Sequence, residues 1–445
     1  MTVALAIALP LLLTPHAADG ATQESPSPMT SIRPLANDFV TVFESPNPAT
    51  VYCYSPGIAR CPSGRLIATL DLGGPGLKDL PGGAAARGKI LTSDDRGCTW
   101  ALRAATPMLH ARPFVAGERL YVLGHAGNLM IVRSDDWGDT WGEPVKLTEG
   151  QSWHQAPCNV WYARGKVYLV MERNTNTDPS FRGWAVSRLA PVVMAARVGD
   201  DLTRREAWTF SGELSFLQVL ERYGKPHLLG VPFFTPGNTA PGNPGDPRYM
   251  APIGWLETNI VQFTDPDHVW YDPTGRTFHL FARAHTGSTN LACLAKAVEA
   301  EDGSITVSLE AAPSGEPMLY VPMPGGQMKF YILYDEETKL FWLLSSQATD
   351  SMTRPDRLPA NRFNLPNNER QRLAVHFSRN CVDWCFAGIV AMGETALQSR
   401  HYASMVIDGD DLHVLSRSGD ARAKNPHDGD LITFHTVRDF RDLVY

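Results

Sequence analysis

The chain has 445 residues, 43% hydrophobic and 20% charged, which excludes a disordered protein and exceeds what one simple core usually serves. A formal net charge of −7 and a pI near 6.0 carry no polyanion-binding signature, so nucleic acid is excluded as an expected partner. The 37 Gly and 34 Pro imply many turns and few long helices, and 11 Trp with 13 Tyr suit an all-β chain.

Residues 1–21 read as a signal peptide: an apolar run from Val3 to Leu13 meets small residues between Ala17 and Ala21, although the usual positive start is absent. The expected location is therefore secreted or periplasmic. The run is too short to span a bilayer, so no integral membrane segment is expected after its removal. Residues 22–45 are rich in Ser, Pro and Thr and read as a linker.

From residue 46 onward one pattern recurs six times: a tight turn, an apolar strand, then a polar residue. The copies are "SGRLIATLD", "GERLYVLGH", "RGKVYLVMER", "TGRTFHLFAR", "ETKLFWLLSSQ" and "GDDLHVLSRS". Each follows another short strand, such as "YSPGIARC", "ARPFVAG" or "YASMVID". Six such pairs are the inner two strands of six four-stranded blades, and radial closure leaves only short edges. The expected architecture is a six-bladed β-propeller over residues 46–445, with an insertion at about 174–255. Part of that insertion completes the third blade. Its Gly/Pro-rich stretch "TPGNTAPGNPGDPRYMAP" is expected to form a surface loop beside the site.

A second motif runs through the blades. "SDDRGCTW" ends at Trp100 and "SDDWGDTW" at Trp141, with a decayed copy, "SRNCVDW", from Ser378 to Trp384. Asp95 and Asp136 are placed to bond backbone N–H groups in a turn, Gly97 and Gly138 to take an unusual backbone angle, and the Trp rings to pack between blades. The motif is structural; its paired Asp residues are neither acid–base nor calcium chemistry.

Seven cysteines without a CxxC pair make no disulfide framework and read as buried free thiols. Cys381 and Cys385 with His376 nearby are too weak a pattern for zinc. No metal and no cofactor are expected.

In a propeller the starts of the inner strands and the ends of the second strands converge on one funnel. The first group is Tyr54 and Ser55, His110 and Arg112, His154 and Gln155, Glu257 and Asn259, Gln327 and Lys329, His401 and Tyr402; the second is Asp71, His125, Glu172, Arg283, Gln347 and Arg417. A polar funnel with several cations suits a carboxylated sugar. Each of these side chains also has a bland alternative, capping the central channel or holding water.

The repeated Ser-x-Asp-x-Gly-x-Thr-Trp motif, matching the Asp-box, makes the chain resemble the sialidase (neuraminidase) superfamily of propellers. That resemblance implies three arginines on the substrate carboxylate, a tyrosine nucleophile polarised by a glutamate, and an aspartate acid–base. Tyr402 in "HYASMVID", Glu257 in "WLETNIVQF" and Arg283 in "FHLFARAHTG" fall where the family has its Tyr, Glu and one Arg. Arg370 in "NNERQRLAVHFS" is the expected second Arg, with Arg372 its rival, and Asp79 is the expected acid–base, with Asp71 as the alternative. The family's opening Arg is replaced by Ser55 and Pro56 in "YSPGIAR", and Arg112 is the candidate substitute. His110, His125, His154, His285 and His401 are additional around the predicted funnel, and with the lost Arg they argue against N-acetylneuraminic acid. The resemblance thus implies an exported glycoside hydrolase acting on an acidic oligosaccharide or polysaccharide, with His110, His154, Gln155, His285 and His401 joining the arginines in binding. The alternatives are a propeller lyase acting on uronates through a His/Tyr pair, and a non-catalytic glycan-binding propeller.

Overall fold

The computed structural model describes residues 32–178, 185–223, 253–286, 289–349 and 369–445. Pro34–Tyr445 form one compact unit whose described residues make six antiparallel sheets of four or five strands, set in a ring as blades, and one two-stranded sheet of Glu310–Ala311 and Pro317–Met318. The first blade is built from Tyr52–Arg60, Leu66–Gly73, Gly88–Ser93 and Ala101–Thr106; the second from Leu109–Ala116, Arg119–Ala126, Asn128–Ser134 and Val145–Lys146. In the third, a broken inner strand (Trp153–His154, then Trp161–Ala163) pairs with Lys166–Asn174, followed by Leu189–Arg197 and Thr209–Phe210. Gly254–Val261, Thr277–His285, Leu291–Glu299 and Ile305–Ser308 make the fourth; Tyr331–Asp335, Leu340–Ser346, Arg372–Ser378 and Cys385–Met392 make the fifth. Arg400–Asp408, Asp411–Ser418 and Leu431–Val437 form the sixth.

The sixth blade takes its outermost strand from the other end of the chain. Val40–Glu44 pairs antiparallel with Leu431–Val437, so residues 34–45 belong to the propeller and not to a linker. The segment expected as an insertion at about 174–255 also supplies regular structure: Leu189–Arg197 and Thr209–Phe210 are the third blade's outer strands, and a short helix, Phe216–Tyr223, follows. The Gly/Pro-rich stretch and the signal-peptide region lie outside the described residues. Among the described residues no helix is long and apolar enough to cross a membrane.

All six second strands are those named by the repeat. They read as near-continuous apolar runs because each is covered on both faces by neighbouring blades. The cores accordingly sit between blades: Tyr168, Val170 and Val193 of the third pack with Trp255, Phe278 and Leu280 of the fourth, and Trp342, Leu344 and Val375 of the fifth pack with Met405 and Val414 of the sixth.

Each inner strand is a sheet edge facing the axis, with backbone groups that need partners. Buried polar side chains supply them across blade boundaries. Asn159 donates to the Ile260 carbonyl at 2.7 Å and accepts from its N–H at 2.8 Å; Asn259 does the same with Phe330 (3.1 Å) and Ile332 (3.0 Å). Thr69 donates to the Ala111 carbonyl at 2.6 Å. Arg112 belongs to this set: its guanidinium donates to the carbonyls of Val170 (3.0 Å) and Asn159 (3.4 Å). So does Gln155, whose amide donates to the Val170 carbonyl of its own blade at 3.0 Å and to the Thr258 carbonyl of the fourth at 3.4 Å. Lys329 donates to the Ala403 carbonyl and to Ser404 Oγ.

The repeated motif forms hairpin turns between third and fourth strands, at the opposite end of the blades from the funnel. In the first copy Ser93 Oγ donates to Asp95 Oδ1 (2.8 Å) and accepts from Gly97 N–H (2.8 Å), while Asp95 accepts from Thr99 N–H (2.8 Å) and Thr99 Oγ1 (2.6 Å). Ser134, Asp136, Gly138 and Thr140 repeat the network. In the third copy Asn380 stands in for the Asp and accepts from Val382 and Asp383 N–H at 2.9 and 2.8 Å. Trp100 packs edge-on against Phe434 of the sixth blade, with ring centroids 5.6 Å apart. Gly97 has φ +87°, and a Cβ there would lie 2.1 Å from Phe434. Gly97→Ala is therefore expected to cost about 2–4 kcal/mol, from the left-handed backbone plus overpacking between blades. Chemical denaturation checks it; a change below about 0.5 kcal/mol, the scale of an ordinary surface substitution, would remove this turn from the account of ring closure.

All seven cysteines are free thiols. Five are buried as expected, but Cys98, in the first hairpin turn at a blade end, is exposed, and Cys385, which opens the fifth blade's outermost strand, is half-buried.

Candidate functional site

Four inner strands carry the same local defect. The ladder shifts register between Tyr54 and Gly57, Leu109 and Arg112, Leu256 and Asn259, and His401 and Ser404. Within each bulge one non-glycine residue takes the left-handed conformation: Ser55 (φ 50°), His110 (φ 54°), Glu257 (φ 58°) and Tyr402 (φ 51°). Such conformations persist only where the surroundings impose them, and bulges re-aim side chains. Here all four residues line one cavity of about 410 Å³. The preceding residues pair with second-strand ends, Tyr54 with Asp71, Leu109 with His125, Leu256 with Arg283 and His401 with Arg417, and His154 pairs with Glu172.

Tyr402 lies at the centre of the charged half. Arg283 Nη1 donates to Tyr402 Oη at 2.6 Å and to Glu257 Oε2 at 3.2 Å, while its Nε is fixed on the Gln327 carbonyl at 2.8 Å. The guanidinium carbons of Arg370 and Arg417 stand 5.4 and 5.2 Å from the Tyr402 ring centroid. These side chains are all buried. Burial first, then the neighbouring guanidiniums, holds the proton affinity of Arg370 below the usual arginine range. Burial also raises the Tyr402 phenol, against the pull of Arg283, so the hydroxyl keeps its proton at neutral pH.

The other half is built of imidazoles. His110 Nδ1 lies 3.0 Å from His125 Nε2, and the His110 and His154 rings meet edge to face at 4.9 Å. His154 Nδ1 is 3.5 Å from Glu172 Oε2, and Glu172 accepts from Thr258 N–H and Oγ1, each at 3.0 Å. Burial keeps His110 and His125 neutral, the latter pushed down to about 3. Beneath them Asp71 is fully buried and accepts from the His110 N–H at 3.0 Å. Burial raises its carboxyl to about 6, above the unfolded value near 4. A raised folded-state value means that Asp71 favours folding below about pH 4 and that this contribution is lost as pH rises through 6. Asp71→Asn should therefore flatten the fall in stability between pH 4 and 6. Denaturation midpoints of both proteins across that range check it; parallel curves would contradict the burial argument.

No protein-family model matches the sequence, nor does any curated protein sequence. Solved structures do align. A Hadza microbial sialidase matches 90% of this chain and 68% of its own length, at 16% identity and a TM-score of 0.51. Trypanosoma rangeli sialidase in complex with sialic acid matches 93% of this chain at 13% identity and a TM-score of 0.51. The fold is the six-bladed sialidase-like propeller. The chain spans 60% of the length of that second protein. A Penicillium chrysogenum α-L-arabinanase also aligns, at 12% identity and a TM-score of 0.48.

The cavity collects Tyr402, Glu257, Arg283, Arg370, His110, His154 and His285 from the residues given a catalytic or binding role in the sequence. The other four lie elsewhere, as does Arg372, the rival of Arg370. Asp79 ends a short 3-10 helix, Pro75–Asp79, with its side chain exposed outside the cavity. Arg112 and Gln155 stitch the channel, as described above. His401 is fully buried behind the cavity, its Nδ1 3.0 Å from Arg370 Nη1, and so positions that arginine. Arg372 turns away to Glu369. The third cation is Arg417, which stands in the repeat alignment but was given no role by the family resemblance. Leu256 and His427 are the lining residues the sequence reading missed. Leu256 is adjacent to Glu257, and its side chain forms part of an apolar cluster; His427 comes from an irregular loop with no periodic mark.

Proposed function

We propose that this propeller is a glycoside hydrolase acting on a carboxylated sugar, and that it works outside the cytoplasm. The observation that carries the reading is the Tyr402 hydroxyl held between Arg283 and Glu257, with Arg370 and Arg417 against the same ring. Three guanidiniums make a fork-like seat for a carboxylate. Because the phenol lies among them, the carbon it can attack is the one bearing that carboxylate, or its neighbour. A neutral phenol approaches such a carbon without repulsion from the substrate's charge, and Glu257 takes its proton as the new bond forms. The sialidases that share the fold support this chemistry by analogy.

One observation favours a second reading. Glu257 is the only carboxylate among the described lining residues, whereas imidazoles are several. A uronate lyase needs a seat for the carboxylate, a base for the adjacent C–H and an acid for the leaving oxygen, and His/Tyr pairs can serve. Incubation with a panel of acidic oligosaccharides and mass detection separates the two: hydrolysis adds water across the products, whereas elimination does not and creates an ultraviolet-absorbing unsaturated sugar. If no member of the panel is cleaved, the catalytic reading fails in favour of glycan binding.

A further inference from the structure

With Asp79 outside the cavity, the hydrolase reading has a nucleophile and a cation seat but no proton donor for the leaving group. The loop between Ser418 and Leu431 of the sixth blade offers one. His427 lines the cavity with half of its side chain exposed. Its Nδ1 lies 2.7 Å from Asp428 Oδ1. Asp428 is itself clamped: Oδ1 accepts from Tyr54 Oη at 2.7 Å, and Oδ2 accepts from Asn425 Nδ2 at 2.9 Å. A carboxylate so placed puts the imidazole proton on Nδ1 and leaves Nε2 as the working atom. The other lining histidines are less suited. His154 is 3.5 Å from its carboxylate, His110 faces the His125 ring, and His285 is buried.

We propose that His427, oriented by Asp428, is the catalytic acid–base residue of this site. The assignment rests on the hydrolase reading. In the first half-reaction Tyr402 Oη bonds to the anomeric carbon and passes its proton to Glu257. The glycosidic C–O bond breaks, its electron pair stays on the departing oxygen, and that oxygen takes the proton from His427 Nε2. In the second half-reaction a water oxygen bonds to the same carbon and the Tyr402 C–O bond breaks. The water's proton goes to His427 Nε2, and Glu257 returns its proton to Tyr402. The sum is hydrolysis, with every residue restored.

The charges facing His427 explain how it is loaded. Arg417, on the adjoining strand, donates to the His427 carbonyl and brings Nη2 to 3.2 Å from Nδ1; Arg370 of the fifth blade is also positive, while Asp428 opposes both. Tyr54 of the first blade shares Asp428, and its ring centroid lies 5.7 Å from the imidazole's. Partial burial, then Arg417, lowers the His427 imidazole below its ordinary value, so it is neutral at pH 7 before substrate binds. A substrate carboxylate seated on Arg417 and Arg370 offsets those charges and draws a proton onto Nε2. Binding of the substrate thus prepares its own acid.

The test compares methyl and 4-nitrophenyl glycosides of the sugar acid cleaved in the panel, with wild type, His427→Gln and Asp428→Asn. The nitrophenolate leaves without help, whereas methoxide needs a proton. In kcat/KM, which reports the first half-reaction alone, His427→Gln is expected to lower the value for the methyl glycoside by about 10³-fold and that for the nitrophenyl glycoside by less than about tenfold. Asp428→Asn should give a smaller loss of the same selectivity, about tenfold on the methyl glycoside. Equal losses on both substrates, or none, overturn the assignment while leaving the hydrolase reading in place. If wild type hydrolyses no member of the panel, the reading and the assignment fall together.

Discussion

Tyr402→Phe is expected to lower kcat by on the order of 10³-fold with little change in KM. The substitution removes a single oxygen. The ring keeps its packing against Ala156 and Met328, and Arg283 keeps both Glu257 and the Gln327 carbonyl. Neither a cavity nor an unpaired buried charge is created, so the folded state should be little disturbed. On the proposed reading, what disappears is the group that bonds to the sugar carbon in the transition state, and a contact made only there is lost from kcat and not from binding. Because burial keeps the phenol protonated, Glu257 has to accept that proton, and Glu257→Gln should cost about 10²–10³-fold by itself. The two losses should not multiply in the double variant, since the residues act as one unit. Turnover within tenfold of wild type in Tyr402→Phe would remove the nucleophile from the scheme.

The trio of Glu257, Arg283 and Tyr402 was legible in the sequence because a propeller repeats its geometry. Residues at equal places in different copies are brought to one mouth, however far apart they lie in the chain. Arg112 and Gln155 occupy the same stretch but misled, because the bulge at each strand entrance separates neighbours: His110 turns into the cavity while Arg112, two residues on, turns to the backbone of the next blade. Sequence spacing does not show a bulge, so the two fates look alike. Arg417 stood in the alignment of second-strand ends, and only the search for the family's own arginines drew attention away from it. His427 had no such mark, since it lies in a loop whose course depends on Asn425, Asp428 and Tyr54. Asp79 failed for the converse reason. Its loop is long enough to reach the funnel, yet the chain there coils into short 3-10 turns that leave the carboxylate in solvent. The closing strand Val40–Glu44 was hidden because its partner is at the far end of the chain and its neighbours are Ser- and Pro-rich.

Arg370→Met should make the site worse at holding its substrate. Among the lining side chains three guanidiniums face one carboxylate, Glu257, in a buried setting. Burial first, with the charges of Arg417 and Arg283 acting in the same direction, depresses the proton affinity of Arg370. Loss of one partner from a desolvated charge pair costs about 2–5 kcal/mol, so affinity for a carboxylated ligand should fall by about 10²-fold or more. A glycoside with the same sugar ring but its carboxylate reduced to an alcohol should bind both proteins alike. KM values for the acidic and reduced substrates read both effects. An unchanged KM for the acidic substrate would show Arg370 to be a structural cation that pairs with His401, and the guanidiniums around Tyr402 would then need another purpose than gripping an acid.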